Sequence, residues 1–420
     1  MDRNDRVVTA FAMLGHATFH TYELVLPIFV VIWLEAFSTT AAFLGAIVGA
    51  SYALIGIGAL PSGLLADRFG SRRLVAACLL GMAASFGIVS VAPTLAVLTI
   101  GLLLWGLAAS LYHPAGLALI SRGTKERGTA FAYHGAAGNV GVAIGPLFAA
   151  VLLAFVGWRA VAALLVVPAL VATAVGLRLT FDETAGAAAR GGDDGTADGD
   201  QPRDLAAFVA SSKRLFTGGF ALVFLTGILY GLYYRAAFTF LPDILADLPL
   251  FDPVTAFDRA FEPSQYVYSG LLLLGGVGQY VGGKLVDRIR VETALLGGYA
   301  VLAAIAIAFV PAANAGLVPL LAVAGLLGFA AFAIAPINQE AVSAYTAAES
   351  RGLSFGYSYT AIFGVGAVGA SLAGVVLTHS TPAVLFAVIA GCAAIAALVG
   401  ASLRSRSAHA GSPADAASDD

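Results

Sequence analysis

Charged residues are scarce in this sequence. Only 11% of its 420 residues are Asp, Glu, Lys or Arg, whereas 59% are hydrophobic, and the mean hydropathy is +0.89. Because about a quarter of the residues in a soluble globular domain are charged, this composition excludes that class. The formal net charge of −3 lacks the basic excess of a nucleic-acid binder, so no nucleic-acid partner is expected.

Cysteine is also rare. The two cysteines, Cys78 and Cys392, stand far apart in separate apolar runs, which excludes a disulfide framework and a cysteine-ligated metal. The sequence also lacks a Walker loop, a metal-ligand cluster and a nucleophile elbow. These absences predict a protein that has no cofactor and no metal and that is not an enzyme.

Long apolar runs dominate the chain instead. A run of about 20 residues is long enough to cross a bilayer as a helix. The first run is too long for a cleaved signal peptide, so we expect it to be a retained span. The sequence therefore predicts an all-α membrane protein with twelve spans. The predicted spans are residues 7–36, 42–65, 73–92, 95–121, 128–156, 158–180, 215–246, 264–286, 293–311, 316–346, 351–378 and 382–403.

Lysine and arginine cluster on one side of these spans. If the N-terminus lies in the cytoplasm, all but three of the 22 basic residues fall in cytoplasmic segments. The exceptions are Arg159, Arg235 and Arg259. Since cytoplasmic loops are enriched in Lys and Arg, both termini are predicted to be cytoplasmic, in a multi-pass protein of the cell membrane.

One short polar stretch recurs half a chain later. Residues 63–73 read GLLADRFGSRR and residues 283–290 read GKLVDRIR, so Asp67 and Arg68 match Asp287 and Arg288. Pro27 also matches Pro242, and Pro114 matches Pro336, at nearly the same spacing. This repetition predicts two pseudo-symmetric six-helix halves. The predicted units are a first half at 1–181, a cytoplasmic linker at 182–214, a second half at 215–404 and a disordered tail at 405–420.

Ionisable side chains within the predicted spans are functional candidates, because they are costly in hydrocarbon and normally face a cavity. His16, His20 and Glu23 lie three and four residues apart, so they share one helix face and form a candidate proton site. The alternative is a purely structural hydrogen-bonded pair. Arg235 needs a partner, which is either Glu23 from the other half or an anionic substrate.

Four further polar residues complete the predicted substrate and proton site. They are His113, His134, Asn139 and Asn338. A lone buried histidine is otherwise an ordinary core group, so this alternative remains open for His113 and His134.

The repeated loop is a candidate gate. A pair between Asp67 and a basic group would hold the cytoplasmic side shut, and the alternative is that the basic residues only set topology. The gating candidates are Gly63, Asp67, Arg68, Gly70, Arg72, Arg73, Asp287 and Arg288. Gly141 and Gly145 form a small-residue packing face that precedes Pro146, which can bend the helix.

The GLLADRFGSRR loop resembles the signature loop of the major facilitator superfamily, and the GNVGVAIGP stretch of residues 138–146 is similar to a motif of its antiporters. HTYELVLP, LYHPAGLALIS and RAAFTFLP resemble the fosmidomycin-resistance group of efflux carriers. This resemblance implies proton exchange for small drug-like or anionic compounds. Many drug–proton antiporters carry an arginine at the position of Leu102, so coupling here would use other groups such as His16, His20, Glu23 or His113.

The sequence therefore predicts a secondary transporter that works by alternating access, with proton-coupled efflux of a small molecule as its activity. The alternative is an uptake symporter for an organic anion or another small metabolite, and a remote one is a transporter-derived sensor. The expected partners are a small-molecule substrate, protons and the lipid bilayer, and the expected assembly is a monomer.

Overall fold

The computed structural model describes residues 1–189, 205–347 and 350–410. This part of the chain is almost entirely helical. The first half contains seven long helices: α1 (Arg3–Ala36), α2 (Ala41–Phe69), α3 (Ser71–Ser90), α4 (Leu95–Ala109), α5 (Tyr112–Gly123), α6 (Arg127–Leu153) and α7 (Trp158–Arg178). Two shorter helices follow, α8 (Ala185–Ala189) and α9 (Leu205–Leu215).

The second half begins with α10 (Phe220–Thr239) and α11 (Leu241–Ala246). A short 3₁₀ turn and a hairpin follow, with strands β1 (Val254–Ala256) and β2 (Arg259–Phe261) paired antiparallel. The remaining helices are α12 (Pro263–Val286), α13 (Val291–Ala315), α14 (Leu317–Ala344), α15 (Arg351–Tyr359), α16 (Val368–His379) and α17 (Pro382–Ala410). The hairpin is a small exception to the predicted all-α fold.

Within the described residues, eleven helical segments are long and apolar enough to cross a membrane. One of them is α4 and α5 together, and another runs from Gly352 to His379. The helix α12 corresponds to the other predicted span and is 24 residues long. At 1.5 Å per residue it exceeds the thickness of a hydrocarbon core, about 30 Å. It is not one of the eleven apolar segments because its polar residues lower its mean hydropathy.

Several predicted spans differ from the observed helices. Span four is broken at Ser110 and Leu111, before His113 and Pro114. Span seven, predicted as 215–246, begins as helix only at Phe220 and breaks at Phe240. The cause lies in proline geometry, since Pro114 and Pro242 stand at the start of new helices, where no backbone N–H is needed. Span eleven is interrupted by a π turn at Thr360–Gly364 and a 3₁₀ turn at Val365–Ala367.

The predicted linker and tail also need correction. Helices α8 and α9 occupy parts of 182–214, and residues 190–204 lie outside the described residues. The terminal helix α17 continues to Ala410, although a disordered tail was predicted from Ser405. The helix passes the end of the apolar run because the hydrogen bonds between backbone N–H and C=O groups four residues apart do not depend on side-chain polarity. Residues 411–420 lie outside the described part.

Helices α1 and α6 pack through glycine. A Cβ atom added to Gly141 would lie 2.1 Å from the backbone oxygen of Ala17, and one added to Gly145 would lie 2.7 Å from the Cα atom of Thr21. The backbones approach so closely that no side chain fits between them. Pro146 lies inside α6, which continues to Leu153. This contact holds the face of α1 that carries the predicted proton site against α6.

The two halves meet through similar contacts at one end of the bundle. The backbone N–H of Ala42 at the start of α2 donates to Oγ1 of Thr378 at the end of α16, at 2.8 Å. A Cβ atom added to Gly374 would lie 2.2 Å from the oxygen of Ala41. We call this end the far end. The opposite end, which carries residues 63–73 and the start of α1, is called the basic end.

Gly141→Ala should lower the free energy of unfolding by about 1–3 kcal/mol, because the added methyl group collides with the backbone of α1. Thermal unfolding in detergent measures this change. The matched control is Gly128→Ala in the same helix, where an added Cβ atom meets nothing within 4 Å. Equal unfolding temperatures for both variants would contradict the close-packing explanation.

Candidate functional site

A cavity of about 520 Å³ lies between the two halves. It is lined by residues of α1, α5, α6, α10, α12, α14 and α15, and by the π turn. Because the far end is closed by the contact of α2 with α16, the cavity faces the basic end. The predicted site residues His16, His20, Glu23, His113, His134, Asn139, Arg235 and Asn338 all line it.

The innermost part of the cavity contains a buried ion pair. Nη2 of Arg235 on α10 donates to Oε1 of Glu23 on α1, and the two residues are only 3% and 2% exposed. The sequence left two partners open for Arg235, and the structure places Glu23 against it. A charge buried in this way is tolerated only when it is paired, so the pair links the two halves.

Aromatic rings surround the guanidinium of Arg235. Its Cζ atom lies 3.7 Å from the ring centre of Tyr52 on α2 and 5.3 Å from that of Phe363 in the π turn. The hydroxyl of Tyr52 also donates to the backbone oxygen of Glu23 at 3.0 Å. The aromatic faces stabilise the cation electrostatically. Sequence reasoning missed Tyr52 and Phe363, since nothing local to α2 or residue 363 indicates contact with a distant arginine.

Glu23 has a second partner on its own helix. Its Oε2 atom lies 2.7 Å from Nδ1 of His20, three residues earlier. His20 in turn places Nε2 at 3.0 Å from Nε2 of His16. Nδ1 of His16 lies 2.7 Å from the backbone oxygen of His134 on α6. The predicted face of α1 is therefore a continuous hydrogen-bonded chain from Arg235 to α6.

His134 and His113 flank this chain. The rings of His134 and His16 stack with centres 3.8 Å apart, and Nε2 of His134 lies 3.1 Å from the hydroxyl of Tyr112. His113 stacks on Tyr359 of the other half at 5.2 Å. Its buried Nε2 atom has no hydrogen-bond partner among the described residues.

Ring nitrogens of His16, His20 and His113 lie within 4.8 Å of one another. Three imidazoles at this spacing resemble part of a metal ligand set. Both ring nitrogens of His16, however, already contact the oxygen of His134 and the ring of His20. We therefore interpret the cluster as a hydrogen-bonded chain.

Asn139 and Asn338 differ in their surroundings. Asn139 is half-buried, and its Cβ atom lies 3.8 Å from a Cβ atom built on Gly276 of α12. Asn338 is buried on α14, where its Nδ2 atom donates to the hydroxyl of Tyr299 at 2.9 Å. Asn338 thus contributes to the packing of α13 on α14 as well as to the cavity wall.

The predicted gating loop lies at the basic end and does not line the cavity. Gly70 joins α2 to α3 with φ of 86°, a conformation that favours glycine. Nη1 of Arg122 donates to Oδ1 of Asp67 at 2.7 Å, and Nη2 donates to the hydroxyl of Ser71 at 2.8 Å. These contacts stay within the first half of the protein.

The remaining gating candidates divide into anchored and exposed groups. Arg72 donates from Nη2 to the backbone oxygens of Leu177 and Leu179, at 2.8 and 2.6 Å, and so satisfies carbonyl groups at the end of α7. Arg68 covers the ring of Phe69 at 5.3 Å. Arg73, Asp287 and Arg288 are exposed, and an added Cβ atom at Gly63 meets nothing within 4 Å.

A comparison with protein-family models matches residues 9–320 and 263–419 to the model described as Major Facilitator Superfamily. The two matched ranges together cover nearly the whole chain. This family was the one indicated by the loop at residues 63–73.

Solved structures of similar fold cover almost the same extent. A bacterial homologue of the human lysosomal transporter Spinster, in an inward-facing and occupied conformation, has a TM-score of 0.75 and 14% identity, covering 97% of this chain and 98% of that one. A mutant of the peptide transporter POT in complex with sulfate has a TM-score of 0.74 and 14% identity, covering 97% and 95%. At these identities the likeness establishes the fold alone.

A curated relative is similar over a shorter stretch. The puromycin resistance protein pur8 of Streptomyces alboniger is 36% identical over 103 residues, which is 24% of this chain. The matched stretch spans about a fifth (20%) of the length of that relative.

Arg235→Met should lower the free energy of unfolding by about 3–5 kcal/mol, because it leaves Glu23 buried without its cationic partner. Adding Glu23→Gln to this variant should recover most of the loss, since no buried charge then remains unpaired. Thermal unfolding in detergent compares the two variants with the parent. A double variant as unstable as the single one would show that shape, not charge, causes the loss.

Proposed function

Because the chain belongs to the major facilitator superfamily and is a secondary transporter of the membrane, not an enzyme, we propose that it exports a small drug-like or anionic compound in exchange for protons. The observation that carries this proposal is the buried Glu23–Arg235 pair at the closed end of the cavity. His20 contacts the same carboxylate, so a titratable imidazole and a fixed cation share one anion.

The chemistry of this pair supports coupling between protons and substrate. Ionised Glu23 neutralises Arg235 in the empty carrier. A proton on Glu23 or His20 weakens the hold on the guanidinium, which then becomes free to bind an anionic group. His113 also lines the cavity, and its buried Nε2 atom has no hydrogen-bond partner in the described part of the chain, so a movement that exposes this atom would give a solute a second hydrogen-bonding group. Proton binding and substrate binding are thus coupled at the same site.

One observation favours export over uptake, namely that the curated relative is named as a puromycin resistance protein. Membership in the fosmidomycin-resistance-like group stays a prediction. The cavity faces the basic end, which we propose is cytoplasmic on the distribution of Lys and Arg, so the site in this conformation exchanges solute with the inside of the cell, as transport in either direction requires. Proton-driven uptake of an organic anion is the alternative, and the flux experiment below separates the two directions.

For the transport cycle, we propose that residues 1–181 and 215–404 rock against each other as a monomer in the cell membrane, with both termini cytoplasmic. Opening the far end requires α2 to separate from α16, where Ala42 contacts Thr378. Closing the basic end brings the loop at Asp67 towards the second half. The Asp67–Arg122 bond keeps this loop in register for that contact.

Glu23→Gln should abolish flux driven by a pH gradient while exchange of substrate across the membrane continues, because the amide cannot exchange a proton. Flux of solutes selected by a thermal-shift screen is measured in proteoliposomes with gradients of either direction. Glu340→Gln is the control, since Glu340 is exposed on α14 and outside the cavity. If Glu23→Gln retains the parent's gradient dependence, Glu23 is not the coupling group.

Asp67→Asn should fold and insert normally but transport more slowly, by up to about fivefold, because the amide makes a weaker bond to Arg122. The comparison variant is Asp287→Asn, the equivalent position of the repeat, whose Oδ2 atom lies 4.0 Å from Nζ of Lys284. Flux at matched expression is compared. Unchanged flux in Asp67→Asn would mean that the loop sets topology alone.

A further inference from the structure

The hydrogen-bonded chain on α1 has a fixed starting point. The oxygen of His134 is a backbone carbonyl and can only accept, so Nδ1 of His16, 2.7 Å away, carries the proton of that bond. A neutral imidazole has one N–H group. Nε2 of His16 is therefore an acceptor, and the proton between the two Nε2 atoms at 3.0 Å belongs to His20.

With the protons assigned in this way, the contact between His20 and Glu23 lacks a proton. A neutral His20 with its proton on Nε2 presents a lone pair at Nδ1, which lies 2.7 Å from a carboxylate oxygen of Glu23. Two acceptors do not form a bond at that distance. A hydrogen bond forms there only when one further proton lies between His20 and Glu23. If His16 carries the positive charge instead, the three contacts still need the same total number of protons.

We infer that His16 is a positioning residue, which fixes the tautomer of His20 through the backbone of α6 and so makes the Glu23–His20 pair hold one exchangeable proton. The inference rests on the proposed proton coupling and specifies how that site stores its proton. The proton is released to water in the cavity or to a solute. When this proton is lost, the 2.7 Å hydrogen bond between His20 and Glu23 is lost as well, whereas the bond from Arg235 to Glu23 remains.

The groups around the pair keep their own charges near pH 7, so the charge of the site varies with this proton. The groups that face the pair from other helices are Arg235, Tyr230 and Tyr234 of α10, Tyr52 of α2, Tyr268 of α12 and His113 of α5. Arg235 stays charged and tyrosines stay neutral near pH 7. His113 contacts the ring of His20 only edge-on, at 5.7 Å between ring centres, so it offers the pair no hydrogen bond. His134 faces His16 by stacking.

The test is ¹⁵N NMR of the full-length protein in detergent with labelled histidine, because imidazole nitrogen shifts distinguish the two tautomers and the cation. The sequence has only six histidines, and His379→Gln, at the exposed end of α16, removes one signal for assignment without touching the cavity. In the parent protein, His16 should keep its proton on Nδ1, and His20 should carry a proton on Nε2.

His16→Phe keeps an aromatic ring against His134 but cannot accept from His20. A neutral His20 is then free to move its proton to Nδ1 and donate to ionised Glu23, so the ¹⁵N shifts of the neutral ring should show the proton on Nδ1 instead of Nε2. His379→Gln should leave the nitrogen shifts of His20 unchanged.

Two results would overturn the inference. One is a parent His16 that carries its proton on Nε2, which needs no variant to observe. The other is a neutral His20 that still carries its proton on Nε2 in a folded His16→Phe protein. Neither measurement uses a substrate or flux. The inference about His16 can therefore fail while the Glu23→Gln transport test succeeds, and the reverse.

Discussion

A single buried carboxylate organises this protein. Glu23 is surrounded by apolar helices and cannot remain ionised there without partners, because removing a charge from water costs several kcal/mol. It takes one partner from the second half, Arg235, and one from its own helix, His20. The pairing requires α1 and α10 to face each other across the central cavity. Tyr52 and Phe363 then pack around the cation, which draws α2 and the π turn to the same point.

The halves can meet there because their backbones approach closely on the far side of the pair. Gly374 of α16 lies against Ala41 of α2, with no room for a side chain. Small residues allow this close backbone approach. The closed far end and the cavity that faces the basic end lie on opposite sides of the Glu23–Arg235 pair.

The histidine chain extends the influence of Glu23 away from the interface. Its last hydrogen bond reaches a backbone carbonyl of α6, the helix that also packs on α1 through Gly141. The packing of α6 on α1 therefore fixes the orientation of His16, and through it the position of His20 beside Glu23. The Arg235 bond connects this arrangement to the second half.

The sequence by itself determined the membrane class, the family and the shared helix face of His16, His20 and Glu23, because apolar run length, loop motifs and the 3.6-residue period are local properties. It also limited the partners of Arg235 to two. The tertiary structure decided that Glu23 is that partner, that Tyr52 and Phe363 contact the cation, and that Asp67 bonds to Arg122. It also decided where spans four, seven and eleven break. These features depend on which helices pack together in the tertiary structure, and local sequence patterns do not predict contacts between residues that are far apart in the chain.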